Sequence, residues 1–163
     1  MINLPPGTRR KLYGAEYSSD RLRVFGFVER AREFTVDELW RRPRQERRIE
    51  GLLCGSGMVK SGPQRLSGIL LRELIDEAGV RLEEHELPNR TWLRVSGRDG
   101  YATMFSWHEI WNSPLGDGVI VALEKDGRPL GESEGRLCLV STLDLRTGPR
   151  RIRYLDSAEV CRF

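Results

Sequence analysis

Alternation of apolar and polar residues predicts strands in several parts of the chain. Residues 22–28 alternate and are rich in β-branched and aromatic side chains, as are residues 92–96 and 101–105 on either side of an Asp99-Gly100 turn. The continuous apolar run at 119–123 predicts a strand that is buried on both faces. Segments 46–54, 137–140, 152–155 and 158–161 are further predicted strands.

Helical signals are fewer and shorter. Thr35 with Glu38, and Ser106 with Glu109, have the spacing of capping boxes, so a short helix is predicted after each. Apolar residues at 70, 71, 74, 75 and 78 predict a helix over 69–78 that ends at Gly79. Because strands outnumber helices and do not alternate with them, the predicted fold class is α+β.

Length and hydropathy constrain the organisation of the chain. A sequence of 163 residues favours a single domain, which we expect over residues 20–163 after an irregular N-terminal arm at 1–19. No stretch approaches the roughly 20 apolar residues that span a bilayer, and no apolar segment follows the basic residues Arg9, Arg10 and Lys11 as a signal peptide requires. If Met1 is the true start, we expect a cytoplasmic protein without a membrane partner.

Charge and cysteine content exclude some classes of function. The formal net charge is +3, and the basic residues are interspersed with acidic ones, without the aromatic-and-basic stripe expected for nucleic-acid binding. The cysteines are Cys54, Cys138 and Cys161, an odd number without a CxxC pair, which argues against a disulfide framework and a structural zinc site.

The order of motifs resembles that of the sulfite-oxidase-type molybdopterin-binding family. The segments 22–30 (LRVFGFVER) and 34–39 (FTVDEL) are similar to the opening strand and helix of that family, and 49–54 (IEGLLC) is similar to its strand ending in cysteine. The helix at 65–80, the DGY turn at 99–101, the segment 121–135 and the closing strand at 150–155 follow in the same order. The resemblance implies packed layers of mixed β-sheet with a β-grasp-like element and few short helices.

The resemblance also implies a site. The family's cysteine coordinates molybdenum beside the pterin dithiolene, so Cys54 is the candidate metal ligand and catalytic residue, with Gly55 and Ser56 offering backbone N–H groups next to it. Taken alone, Cys54 is equally compatible with a buried cysteine at the end of a core strand. Arg153 stands where the family has a lysine that holds the anionic pterin, although a solvated strand arginine is the alternative. Arg150 and Arg151 are weaker candidates of the same kind.

The remaining candidates have structural alternatives. Ser67 and Gly68 would bind an anion at the N-terminus of the predicted helix, or would only cap it. Asp99 and Tyr101 lie near the pocket in the family, but an Asp-Gly turn also explains them. The family's N-terminal Arg-Asn-His segment and the asparagine after its cysteine have no counterpart in this sequence.

Three functions are compatible with these residues. The first is a molybdenum–molybdopterin oxidoreductase that transfers an oxygen atom or two electrons to a small substrate, with a redox partner protein. The second is a non-catalytic protein that binds a reduced pterin without metal and signals to a partner. The third is a scaffold that binds neither. We expect the first, because a metal-free pterin site has no need of a cysteine.

Overall fold

The computed structural model describes residues 11–163. Within this part of the chain the helices are short, and two single turns of 3₁₀ helix lie at Ala15–Tyr17 and Pro114–Gly118. The α-helices are α1 (Val36–Trp40), α2 (Leu71–Ala78), α3 (Leu87–Arg90) and α4 (Trp107–Trp111).

Strands supply most of the regular structure, as the sequence predicts for this α+β fold. In chain order the strands are β1 (Arg21–Gly26), β2 (Arg32–Thr35), β3 (Gln45–Ile49), β4 (Leu52–Leu53), β5 (Val59–Ser61), β6 (Gln64–Leu70), β7 (Thr91–Gly97), β8 (Ala102–Ser106), β9 (Val119–Lys125), β10 (Arg128–Pro129), β11 (Cys138–Ser141) and β12 (Leu155–Arg162).

The first sheet is mixed and buries one face. Its order is β2-β1-β12-β7-β8, and β1 pairs parallel with β12 while the other neighbours are antiparallel. Along β1, Leu22 and Val24 are fully buried whereas Arg21 and Arg23 are exposed, so the alternation in the sequence corresponds to a core face and a solvent face.

The second sheet has a central strand, β9, whose residues 119–123 are buried on both faces. Its order is β10-β9-β6-β3. β11 pairs with residues 119–122 of β9, whereas β10 pairs with Glu124 and Lys125 of the same strand. Val119, Val121 and Leu123 of β9 face the main core shared with the first sheet. Ile120 and Ala122 face a smaller cluster on the other side. Two-sided burial therefore explains why the sequence at 119–123 is apolar without alternation.

The helices fill the space beside the sheets, and their ends follow the predicted signals. Leu71, Leu74 and Ile75 of α2 are fully buried, and α2 ends at Gly79, whose φ is 73°. Both predicted caps form: the Thr35 side chain accepts a hydrogen bond from the Glu38 N–H, and Ser106 and Glu109 make the reciprocal pair of a complete capping box.

A small hairpin, β4–β5, carries the residue of greatest chemical interest, Cys54, at its turn. The loop before β12 is bonded to this hairpin, because the Gly148 N–H donates to the Leu53 carbonyl at 2.7 Å. Thr147 Oγ1 donates to the Gly51 carbonyl at 2.9 Å and accepts from the Leu53 N–H at 3.3 Å. A Cβ on Gly148 would lie 2.5 Å from the Leu53 oxygen, so only glycine permits this approach.

Three local predictions are wrong. The predicted strand over 46–54 is two strands, since β3 pairs with β6 whereas β4 pairs with β5. Ser67 and Gly68 do not begin a helix: both lie inside β6, and α2 starts only after Leu70. Residues 152–154 of the predicted strand 152–155 do not form a strand, because Ile152 makes a single bridge to Leu139 and Tyr154 has a φ of 53°; β12 begins at Leu155.

The part of the predicted arm at 1–19 that the structure describes, residues 11–19, contains the 3₁₀ turn Ala15–Tyr17 and is otherwise without helix or strand; residues 1–10 lie outside the described range. None of the helices within residues 11–163 has the length and apolar character that crossing a membrane requires.

Candidate functional site

A cavity opens between the β4–β5 hairpin, the Asp99-Gly100 turn and the loop before β12. Its volume is about 610 Å³, within the range of small-molecule and cofactor sites. Residues from both ends of the described chain contribute to it. It is lined by Lys11, Leu12, Tyr13, Leu52, Cys54, Gly55, Lys60, Ser61, Gln64, Asp99, Tyr101, Lys125, Ser133, Glu134, Gly148, Pro149, Arg151 and Arg153.

Cys54 faces this cavity from the turn of the hairpin. Its backbone N–H donates to the Met58 carbonyl at 3.0 Å, which fixes the turn, and its Sγ lies 2.8 Å from Ser56 Oγ. The hydrogen bond from Ser56 lowers the pKa of the Cys54 thiol; partial burial opposes this, while backbone N–H groups of Ser56 and Met58 and the charge of Lys60 add to it. The surroundings therefore favour the thiolate, the form that binds metals and attacks electrophiles.

The other two cysteines have the opposite environment. Cys138 is fully buried in the smaller core cluster, and burial raises the pKa of its thiol to about 11. Burial and the charge of Glu159 also raise the pKa of Cys161. Of the three, Cys54 alone combines access to the cavity with a stabilised thiolate.

The cavity is cationic. Five basic side chains line it against two acidic ones, Asp99 and Glu134, which leaves a net charge of +3 before ionisation of Cys54. The five are Lys11, Lys60, Lys125, Arg151 and Arg153. Enclosure in a low-dielectric cleft strengthens such a field, so the arrangement suits an anionic ligand.

A buried ion cluster lies at one side of the cavity. Arg151 and Glu134 have side chains only 4% and 5% exposed and are bonded directly to each other. Lys125 Nζ donates to the second oxygen of Glu134 at 3.0 Å, and Arg151 Nη1 donates to Gln64 Oε1 at 3.0 Å. Burial on its own would raise the pKa of Glu134, but Arg151 and Lys125 outweigh it and the pKa is lowered. Arg151 Nε has no hydrogen-bond partner among the described residues.

Arg153, Asp99 and Tyr101 reach the cavity from the other side. Arg153 Nη1 donates to Tyr13 Oη at 2.8 Å, and its guanidinium carbon lies 5.2 Å from the centre of the Tyr13 ring. The Tyr101 hydroxyl donates to the Pro149 carbonyl at 2.7 Å, and its backbone N–H donates to Asp99 Oδ1 at 3.0 Å. Asp99 and Tyr101 thus form a turn, as their sequence suggests, and also line the site.

Of the residues proposed from the sequence, the structure brings Cys54, Gly55, Asp99, Tyr101 and Arg153 to one cavity. The others lie elsewhere. Ser56 contacts the cavity only through its bond to Cys54 Sγ. Ser67 and Gly68 are held inside the second sheet, where a Cβ on Gly68 would lie 2.0 Å from the Val121 carbonyl oxygen.

Arg150 also points away from the cavity. It donates to both oxygens of Asp144, at 2.8 and 2.5 Å, and to Glu109 at 2.9 Å, with its guanidinium 4.3 Å above the Phe105 ring. Two carboxylates therefore neutralise its charge, and it is not among the residues that line the site.

Glu134, Lys125 and Gln64 line the cavity but were not predicted from the sequence, whereas Arg151, a weaker candidate by resemblance, does line it. Gln64 and Arg151 are 87 positions apart in the chain, and no local pattern marks them as partners. The one available signal was Glu134, which follows the segment PLGES at the position where the motif 121–135 closes, but a glutamate in a polar stretch is ordinarily a surface residue.

Comparison with known proteins bears on the family and the fold of the chain. A sequence model of the family described as "Oxidoreductase molybdopterin binding domain" matches residues 15–138, a range that includes Cys54 and excludes Arg151 and Arg153. No curated protein matches the sequence.

The crystal structure of the sulfane dehydrogenase SoxCD from Paracoccus pantotrophus is similar in fold, with a TM-score of 0.69 and 21% identity. That similarity covers 93% of this chain but 39% of the SoxCD chain, so this chain spans about two fifths of that protein. The family and the mixed-sheet fold inferred from the motifs are both confirmed: the chain belongs to the oxidoreductase molybdopterin-binding domain family.

Proposed function

We propose that this chain binds a molybdenum–molybdopterin cofactor in the cavity, with the Cys54 thiolate as the protein ligand of the metal. In this proposal the chain acts in oxygen-atom or two-electron transfer on a small substrate. The observation that carries it is the presence of Cys54, whose thiol has a lowered pKa, among the residues that line a cavity with an excess of basic side chains.

The residues present fit such a cofactor in charge and in ligand type. A thiolate is a soft donor and suits a sulfur-rich metal site. The pterin carries a phosphate, which the net positive charge of the cavity would attract.

When bound, the cofactor supplies the redox chemistry. This chain supplies the thiolate, whose deprotonated state Ser56 and Lys60 favour before any metal arrives. Arg153 and Lys11 present positive charge at the side of the cavity formed by residues 11–13, whereas Arg151 and Lys125 hold Glu134 ionised. Electrons would leave through a redox partner protein.

Metal and pterin analysis of the purified chain tests the proposal. The protein is produced in a molybdenum-replete host, molybdenum is measured by mass spectrometry, and the oxidised pterin is measured by fluorescence. We expect stoichiometric molybdenum in the wild type, and a loss of more than about tenfold in Cys54→Ser, since changes to mere outer-shell groups already cost that much. Cys161→Ser is the matched control, because Cys161 is not among the residues that line the cavity, and circular dichroism verifies that both variants fold.

The other results are informative. Pterin without molybdenum in the wild type would support a non-catalytic pterin-binding protein. Neither pterin nor molybdenum, even after incubation with released cofactor, would refute both functions. Equal molybdenum in Cys54→Ser and the wild type would refute Cys54 as the ligand.

A further inference from the structure

Residues 11–17 form a strap that crosses one edge of the cavity. Lys11, Leu12 and Tyr13 line the cavity directly. The strap is anchored just beyond them, where the Gly14 N–H donates to the Tyr154 hydroxyl at 3.1 Å and the Tyr17 ring lies 5.8 Å from the Tyr154 ring. Tyr154, which follows Arg153 in the sequence, therefore anchors the strap.

Tyr13 and Arg153 close the strap over the cavity. The hydrogen bond and the ring contact that Arg153 makes within residues 11–163 are both to Tyr13. Tyr13 itself is 48% exposed, so burial of its ring does not explain its position. A hydrogen bond and a ring contact instead join this exposed side chain to Arg153.

The partner of Arg153 differs in charge from those of its neighbours. Arg150 is paired with Asp144 and Glu109, and Arg151 is paired with Glu134. The phenol of Tyr13 is neutral, so it fixes the guanidinium without cancelling its charge. Among the described residues, Tyr13 engages one of the five N–H groups of Arg153, which leaves the others for a second partner.

We infer that Tyr13 is a positioning residue, which holds the Arg153 guanidinium towards the cavity so that it meets the anionic end of the ligand. A free arginine side chain loses considerable conformational entropy when it binds, and a side chain that is already held loses less. Binding of an anion to Arg153 would in turn fix the strap. This inference rests on the proposed function, because the ligand it assumes is the molybdopterin cofactor.

Retention of the cofactor by tyrosine variants tests the role of Tyr13 in binding. Each purified full-length variant is loaded with cofactor released from a donor molybdoenzyme, and the loss of pterin is followed by fluorescence. Tyr13→Phe should lose pterin about three- to tenfold faster than the wild type, the factor for one hydrogen bond, and Tyr13→Ala should lose it faster still. Tyr17→Phe removes a hydroxyl from the same strap away from Arg153 and should behave as the wild type.

A second variant separates positioning from general destabilisation. If Tyr13 acts through Arg153, Tyr13→Phe should have no further effect in an Arg153→Met background. Equal retention in Tyr13→Phe and Tyr17→Phe, or the same loss with and without Arg153, would overturn the inference.

Proteolysis tests the strap without any cofactor. Trypsin cleavage after Lys11 releases a fragment that begins at Leu12, and its rate should rise several-fold in Tyr13→Phe but not in Tyr17→Phe. Loading with cofactor should slow this cleavage in the wild type. A wild type that retains no cofactor would refute the proposed function and the positioning role with it, whereas unchanged cleavage in Tyr13→Phe would refute the Tyr13–Arg153 contact alone.

Discussion

Replacing Glu134 by glutamine should lower the free energy of unfolding far more than removing a carboxylate from an exposed ion pair does. The substitution keeps the size and shape of the side chain but removes its negative charge. Arg151 would then be a buried cation, 4% exposed, without a counter-charge, and Lys125 would lose its partner as well. Breaking a buried pair from one side costs about 3–5 kcal/mol of stability, much of it the penalty of the charge that stays behind.

We expect the lower end of that range, about 3 kcal/mol, because Gln64 still accepts from Arg151 and the new amide keeps one acceptor oxygen. The assay is urea unfolding at pH 7, with the free energy of unfolding from linear extrapolation. Glu33→Gln is the matched control. It breaks the 2.9 Å pair between Arg21 and Glu33, whose side chains are 48% and 55% exposed, and should cost much less stability, because solvent screens an exposed pair.

The pH dependence provides an independent check. Since Arg151 and Lys125 depress the pKa of Glu134 in the fold below its ordinary value of 4.5, its stabilising contribution is complete above 4.5 and is lost as the pH falls through the lower folded-state pKa. The difference between the wild type and Glu134→Gln should therefore shrink in acid. A loss at pH 7 no larger than that of Glu33→Gln, or a difference that does not depend on pH, would refute the reasoning.

Three further predictions concern the Cys54 loop and a helix end. A thiol reagent such as iodoacetamide should label Cys54 at neutral pH and should leave the buried Cys138 unmodified until the protein unfolds. Peptide mass mapping measures the labelling, and equal labelling of the two cysteines would contradict their assigned environments. Gly148→Ala should disturb the approach to the Leu53 carbonyl and change the rate of Cys54 labelling, whereas an unchanged rate would mean that the loop adapts without cost. Ser106→Ala should lower the free energy of unfolding by about 1 kcal/mol through loss of the cap on α4, and a neutral result in urea unfolding would show that the cap is dispensable.

The fold could be predicted where a local sequence pattern is compatible with only one local structure. The alternation at 22–28 and the unbroken apolar run at 119–123 correspond to strands buried on one face and on two faces. The capping pairs at Thr35 and Ser106 correspond to helix starts, because a side-chain cap is made within a few residues of its helix.

Predictions failed where distant contacts decide between two locally acceptable structures. The pattern at residues 46–54 predicts one strand, but Gly51 and Leu53 form hydrogen bonds with Thr147, and the second half of the segment pairs in another sheet. The segment around Gly68 is compatible with the start of a helix or the end of a strand. The close approach of the Val121 carbonyl, which no local pattern encodes, fixes it in β6.

In the candidate site, too, distant contacts decide what the sequence leaves open, here which arginine keeps its charge for a ligand. Arg150, Arg151 and Arg153 lie within four positions, and sequence gives no physical basis for ranking them. In the fold, carboxylates neutralise the first two, from Asp144 and Glu109 in one case and Glu134 in the other, while Arg153 is held by a neutral hydroxyl. The charge that an anionic ligand would meet depends on these partners, which come from elsewhere in the chain. The resemblance therefore put Arg153 ahead of Arg150 by its place in the motif, whereas the physical reason for that order, the charge of each partner, follows only from the folded contacts.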